Sequence, residues 1–279
     1  MDRKTISCYT AVIYAVSTIA LTWLFFLPNV LADSALATKS LLLLRLIAGF
    51  IPGIMSIVII RFTAGRRGVK ELLSRTIAFS GKQKWVITAL VLPLLVVAIP
   101  VVVLLFMDIL AFRQFDWMIW LKVLANFCLS LVLFGSIPDE LGWRGLVLPA
   151  LQTKYSALKS SVLIGLLWGL WQLPTYYFND VLESLLSPIW LFIESVALSI
   201  VLTWLYNSSK SLGVVILFNA MYRTITQFLL TEVQVSYYAY SFHQFYTCVL
   251  VNVAIVLLLF CGGKTLVFQY SPRKDLKKI

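Results

Sequence analysis

Eight stretches of this 279-residue chain are apolar over about 20 residues each, and no other feature limits the fold so tightly. An α-helix rising 1.5 Å per residue needs about that length to cross roughly 30 Å of hydrocarbon. The stretches fall near 8–31, 41–62, 85–107, 117–137, 161–179, 186–206, 212–231 and 244–262. A composition of 61% hydrophobic and 13% charged residues excludes one soluble domain, whose water-facing surface demands far more charge. The expected fold is all-α: a polytopic integral membrane protein of about eight transmembrane helices, forming a single domain over 1–279. The start "MDRKT" is basic, as before a signal peptide. The apolar run behind it exceeds the length of a cleavable signal, so it is read as a retained helix. No linker, low-complexity tract or internal repeat is visible, which disfavours a transporter built from inverted halves.

Positive charge sets the orientation, because Lys and Arg stay on the cytoplasmic side. Of the 23 Lys and Arg, 18 lie in the N-terminus, the tail and the 61–84, 138–160 and 207–211 connections, and only Lys39 and Arg113 lie in the alternate set. Both termini are therefore expected in the cytoplasm, with the chain in the cell membrane. The net charge of +11 is then a topology signal and a contact with anionic lipid, and no nucleic-acid partner is expected. The 66–84 segment reads equally as an amphipathic surface helix or a solvated loop. Cys8, Cys128, Cys248 and Cys261 have no metal-like or disulfide-like spacing and are expected to pack in the core.

Charge inside the apolar sequence is concentrated in "GSIPDELGWRGLVLP", residues 135–149. Ser136 three residues before Asp139, with Pro138 between them, predicts a helix start capped by the serine, so the fourth span breaks and a re-entrant helix runs over about 137–151. On it Glu140 and Arg144 share a face, four residues apart, while Asp139 points about a quarter turn away. A salt-bridged surface helix is one reading. The apolar flanks favour membrane depth, where each ionisable group costs about 2.5–3.5 kcal/mol and a cluster of three marks a site.

Two amides reach a similar depth from the same side. Gln172 in "GLLWGLWQLP" and Asn219 in "VVILFNAMYR" lie roughly 16 and 11 Å from the cytoplasmic ends of their spans, and Arg223 follows Asn219 by one turn. Such amides alone often only join helices. With the carboxylates they predict a polar pocket. His243, the single histidine, falls in the last external connection and is expected to be an ordinary interface residue.

"DELGWRG", "WGLWQLP" and "TWLYNSSKSLGVVILFNAMYR" together resemble the three motifs of the CPBP family, the CAAX-protease and bacteriocin-processing intramembrane endopeptidases. "GFIPGIMSIVIIRFTAGRRGVKELLSR" is similar to that family's second span and basic loop, so the resemblance covers about 45–225. The family motifs read EExxxR, FxxxH and HxxxN. The resemblance implies a glutamate that activates water, histidines that hold a metal or polarise that water, and an asparagine that binds the oxyanion. By position, Asp139 replaces the first Glu, and Glu140 and Arg144 are retained. Trp168 stands for Phe, Gln172 and Asn219 for the two histidines, and Arg223 for the asparagine.

Zinc prefers imidazole, thiolate or carboxylate ligands, so no metal and no other cofactor is expected. The candidate site is Asp139, Glu140, Arg144, Gln172, Asn219 and Arg223. Arg223 is expected to take the place of the missing electrophile and pair with Glu140 or Asp139 while Arg144 holds the other, the alternative being that it snorkels or meets Glu194. Three readings stay open. One is a pseudoprotease that binds a peptide or membrane-protein partner in peptide maturation or bacteriocin immunity. The second is a metal-independent endopeptidase using Glu140, and the third is an unrelated transporter.

Overall fold

The computed structural model describes residues 7–31, 38–79, 81–107, 118–132, 135–177, 188–232 and 239–268, and among them there is no β-strand. Eight long helices match the eight apolar stretches: α1 (Cys8–Leu31), α2 (Thr38–Ser74), α3 (Gln83–Phe106), α4 (Met118–Val132), α7 (Ala157–Tyr177), α8 (Pro188–Ser209), α9 (Leu212–Glu232) and α10 (Ala239–Cys261). Between α4 and α7 lie the short α5 (Ser136–Gly142), a π-helical turn over Trp143–Val147 and α6 (Leu148–Leu151). This is an all-α polytopic membrane protein.

Among the described residues six segments are long and apolar enough to cross a bilayer: Cys8–Pro28, Leu46–Ile77, Gln83–Phe106, Trp120–Leu151, Pro188–Ser209 and Phe242–Cys261. Eight crossings were expected. The two helices outside that set, α7 and α9, each have 21 residues, enough for about 31 Å of rise. They carry Ser160, Ser161 and Gln172, and Asn219, Arg223, Thr224 and Thr226, respectively. Their polar side chains make them less apolar than their neighbours.

Polarity is arranged inside out relative to a soluble protein. Phe62 and Phe106 are 86% and 87% exposed, as residues bathed in acyl chains can be, while Asp139, Glu140, Arg144 and Asn219 are completely buried. The cysteines follow the same logic and correct one expectation. Only Cys261 is buried, and Cys128 and Cys248 face outward, where an apolar surround accepts a thiol as readily as a core does.

Helix α2 continues past the expected end of its span into the basic segment. It breaks at Gly65, whose φ of 68° and ψ of −166° no helix contains, resumes to Ser74 and closes with a 3₁₀ turn over Arg75–Ile77. The segment is folded against the bundle and is not a solvated loop. Leu72 is fully buried, Arg75 Nη1 donates to the Gly145 carbonyl at 3.4 Å, Arg75 Nη2 donates to the Tyr206 hydroxyl, and Lys82 Nζ donates to the Ser209 carbonyl.

The packing order places α5 at the centre. α1 packs on α2, α7 on α8, α8 on α10, and α9 on α3 and α4, while α5 lies against α2 and α9. The approach of α1 to α5 depends on Gly142, where a Cβ would overlap the Tyr14 hydroxyl. That hydroxyl donates to the Pro52 carbonyl at 3.2 Å, and the Tyr14 ring meets Trp143 edge-on at 5.3 Å, so α1, α2 and the motif helix share one junction.

Candidate active site

The chain enters α5 through Gly135, which holds φ at 100°, a left-handed conformation that glycine alone adopts without cost. Pro138 sits in the first turn, where a missing N–H leaves no hydrogen bond unmade, and the Asp139 N–H donates to the Gly135 carbonyl at 2.7 Å. The serine cap read from the sequence is not formed. Ser136 is already helical, Gly135 holds the cap position, and the Ser136 hydroxyl is buried without a protein partner. The expected start near 137 stands, but glycine geometry makes it.

The turn Trp143–Val147 is π-helical. Such widened turns recur at functional sites because they re-aim side chains. Arg144, at its head, keeps its bond across the junction: Arg144 Nη1 donates to Glu140 Oε1 at 3.2 Å. Behind it the guanidinium carbon lies 4.9 Å from the centre of the Trp168 ring on α7, so an aromatic face supports the cation away from water.

Helix α9 supplies the other half. Asn219 Nδ2 donates to the same Glu140 Oε1 at 2.8 Å. Asn219 Oδ1 accepts from Arg223 Nε at 3.2 Å, and Arg223 Nη2 donates to Asp139 Oδ2 at 2.6 Å. Asp139, Arg223, Asn219, Glu140 and Arg144 thus form one unbroken chain of hydrogen bonds with two positive and two negative charges. Arg223 is 28% exposed, and Asp139 is not exposed at all. Of the partners foreseen for Arg223, namely Asp139, Glu140 and Glu194, it forms an ion pair with Asp139. Asp139 points toward α9 because it lies a quarter turn from Glu140 on α5.

Two carboxylate oxygens remain open to a further partner. Among the described residues Glu140 Oε2 and Asp139 Oδ1 are buried and accept no hydrogen bond from protein, and the buried Arg144 Nε and Nη2 donate none. Gln172, the remaining residue of the candidate site, is half-buried on α7 one turn beyond Trp168, on the face that carries the Arg144 support.

Glu194 and His243 form a second polar group that the sequence did not signal. His243 lies within α10, not in a connection, and is buried. Its Nε2 is 2.8 Å from Glu194 Oε2, and the Tyr222 hydroxyl donates to Glu194 Oε1 at 2.7 Å. The span boundary assigned from apolar content started at 244, because His243 is polar and is hidden only where it meets Glu194 of α8.

The donor set does not suit a catalytic metal. Among the described residues no three His, Cys, Asp or Glu side chains come together. The two carboxylates present already face guanidinium groups, and a divalent cation beside Arg223 and Arg144 would be repelled. Amides in the histidine positions are poor zinc ligands.

A buried carboxylate pair on a broken helix is thus met by an amide and a guanidinium from α9 and by Arg144 of the motif itself. Residues 120–225 match the family model described as Type II CAAX prenyl endopeptidase Rce1-like, a segment that runs from α4 through most of α9 and contains all six candidate residues. The chain is also 25% identical over 226 residues to CAAX prenyl protease 2 of Methanococcus maripaludis, an alignment covering 76% of this chain and 82% of that protein. Both findings carry the resemblance read from the three motifs: the chain is similar to CAAX proteases through its motif helices and over most of its length.

Proposed function

We propose that this protein is a CAAX-endopeptidase-like membrane protein that binds a peptide or a membrane-protein segment without hydrolysing it, and that it serves in peptide maturation or bacteriocin immunity. The observation that carries this reading is the pairing of both carboxylates: Arg223 with Asp139 at 2.6 Å and Arg144 with Glu140 at 3.2 Å. A general base must take a proton from water, and a carboxylate shared with a guanidinium and an amide has less basicity to offer. The cell membrane, with both termini and the basic segment in the cytoplasm, is the setting that the distribution of Lys and Arg supports.

A second reading has its own observation. Glu140 Oε2 takes no hydrogen bond from protein, so that oxygen is placed to accept a proton, with the amide groups of Asn219 and Gln172 as candidate oxyanion donors in a metal-independent endopeptidase. A cleavage assay separates the two. Full-length protein in proteoliposomes is mixed with a prenylated peptide ending in a CAAX sequence, beside Glu140→Gln. The proposal expects both proteins to bind the peptide and neither to cleave it. Turnover by the wild type that is lost in Glu140→Gln would replace it with the second reading.

A further inference from the structure

At the end of the bundle where α8 and α10 finish and α7 begins, a cavity of about 560 Å³ is lined by Gln152, Tyr155, Asn207, Lys210, Lys264 and Thr265, among others. Among the described residues its charged lining is cationic: two lysines and no Asp or Glu. Tyr155 brings two more ammonium groups to the rim, since Lys154 Nζ and Lys159 Nζ lie 5.6 and 4.8 Å from its ring centre. The Gln152 amide nitrogen is buried and donates to no protein acceptor. The lining residues thus include amide, hydroxyl and ammonium groups, all able to donate hydrogen bonds.

The walls are also held in place. The N–H groups of Ala157 and Leu158 donate to the carbonyls of Lys264 and Gly263 at 3.0 and 2.9 Å, and Asn207 Nδ2 donates to the Thr265 carbonyl at 2.8 Å. Among the described residues the non-glycine positions with positive φ are Lys210 at 54° and Leu266 at 50°. Lys210 lines the cavity, and Leu266 lies between Thr265 and Val267, which also line it. Lys210 follows the last residue of α8 and donates its N–H to the Tyr206 carbonyl at 2.8 Å, so its left-handed backbone closes that helix and fixes this edge of the cavity.

We propose that this cavity binds a phosphate group, carried either by the headgroup of an anionic membrane lipid or by a soluble phosphorylated molecule. Lysine ammoniums bind phosphate as point charges, and several around one cavity suit a ligand with several anionic oxygens. The site is separate from the carboxylate cluster and does not depend on what that cluster does.

Native mass spectrometry of the full-length protein in mild detergent tests it. The protein is titrated with phosphatidylglycerol, with phosphatidylcholine as the zwitterionic control, and separately with pyrophosphate. Either phosphatidylglycerol or pyrophosphate is expected to be held, and Lys210→Gln/Lys264→Gln is expected to weaken that binding at least tenfold. Displacement of phosphatidylglycerol by pyrophosphate identifies a site for any phosphate, retention of the lipid alone identifies a headgroup site, and retention of pyrophosphate alone identifies a soluble ligand. Should the double variant fold poorly, the exposed rim pair Lys154→Gln/Lys159→Gln is expected to weaken binding about threefold with the unfolding midpoint unchanged. Equal binding by wild type and rim variant, or phosphatidylcholine held as tightly as phosphatidylglycerol with no pyrophosphate bound, would overturn the proposal.

Discussion

Arg223 stands where the resemblance places an asparagine, and it changes the site more than any other single residue. Buried ion pairs give little net stability, because desolvation offsets their attraction, yet removing one partner strands the other and costs about 3–5 kcal/mol. With Arg223 28% exposed, the lower end of that range is expected for Arg223→Met. The coupling with Asp139→Asn, measured by thermal unfolding of detergent-solubilised protein, should exceed about 1 kcal/mol. Additive losses would mean that the 2.6 Å contact carries no energy. Much of this residue-scale picture was legible in the sequence: a cation one turn past Asn219, and Glu140 four residues before Arg144. The partner of Arg223 was not, because choosing between adjacent carboxylates requires the rotation of α5 relative to α9. The role of Trp168 as the support of Arg144 was equally hidden, since it depends on how α7 meets the motif helix.

The motif helix shows which part of an element a sequence encodes. Its start was legible from Pro138 and the acid behind it, but the serine cap was not formed, because Gly135 can turn with φ at 100° and leaves Ser136 within the helix. The π-helical turn over Trp143–Val147 was not read from the sequence, and it packs against α1 and α2. Gly142 fixes that packing. Gly142→Ala would press its methyl into the Tyr14 hydroxyl, and overpacking of this kind costs typically about 1–3 kcal/mol. A drop in the unfolding midpoint is expected, with partial recovery in Gly142→Ala/Tyr14→Phe. Recovery stays partial because the methyl would still lie 2.4 Å from the Tyr14 ring carbon Cζ and because the hydroxyl also donates to the Pro52 carbonyl. A Gly142→Ala protein as stable as the wild type would show that α1 does not press on the motif helix.

Over the whole molecule, apolar length alone located eight long helices, because hydrocarbon permits few other backbones. It did not resolve how α2 folds its basic end back onto the bundle, or that His243 lies inside α10, since both follow from tertiary packing of amphipathic sequence. Orientation is testable in cells. Gln83→Cys, in a background without native thiols, should react with an impermeant maleimide only after permeabilisation, because the basic segment around it is expected in the cytoplasm. Labelling in intact cells would place the segment and the candidate site on the outer face. The proposed function rests on charge balance: two arginines pair with the two buried carboxylates. Elemental analysis of the purified, dialysed wild-type protein tests this most directly. Zinc and other divalent metals well below one per chain are predicted, and one tightly held metal ion per chain would show that a metal, not arginine alone, balances the carboxylates.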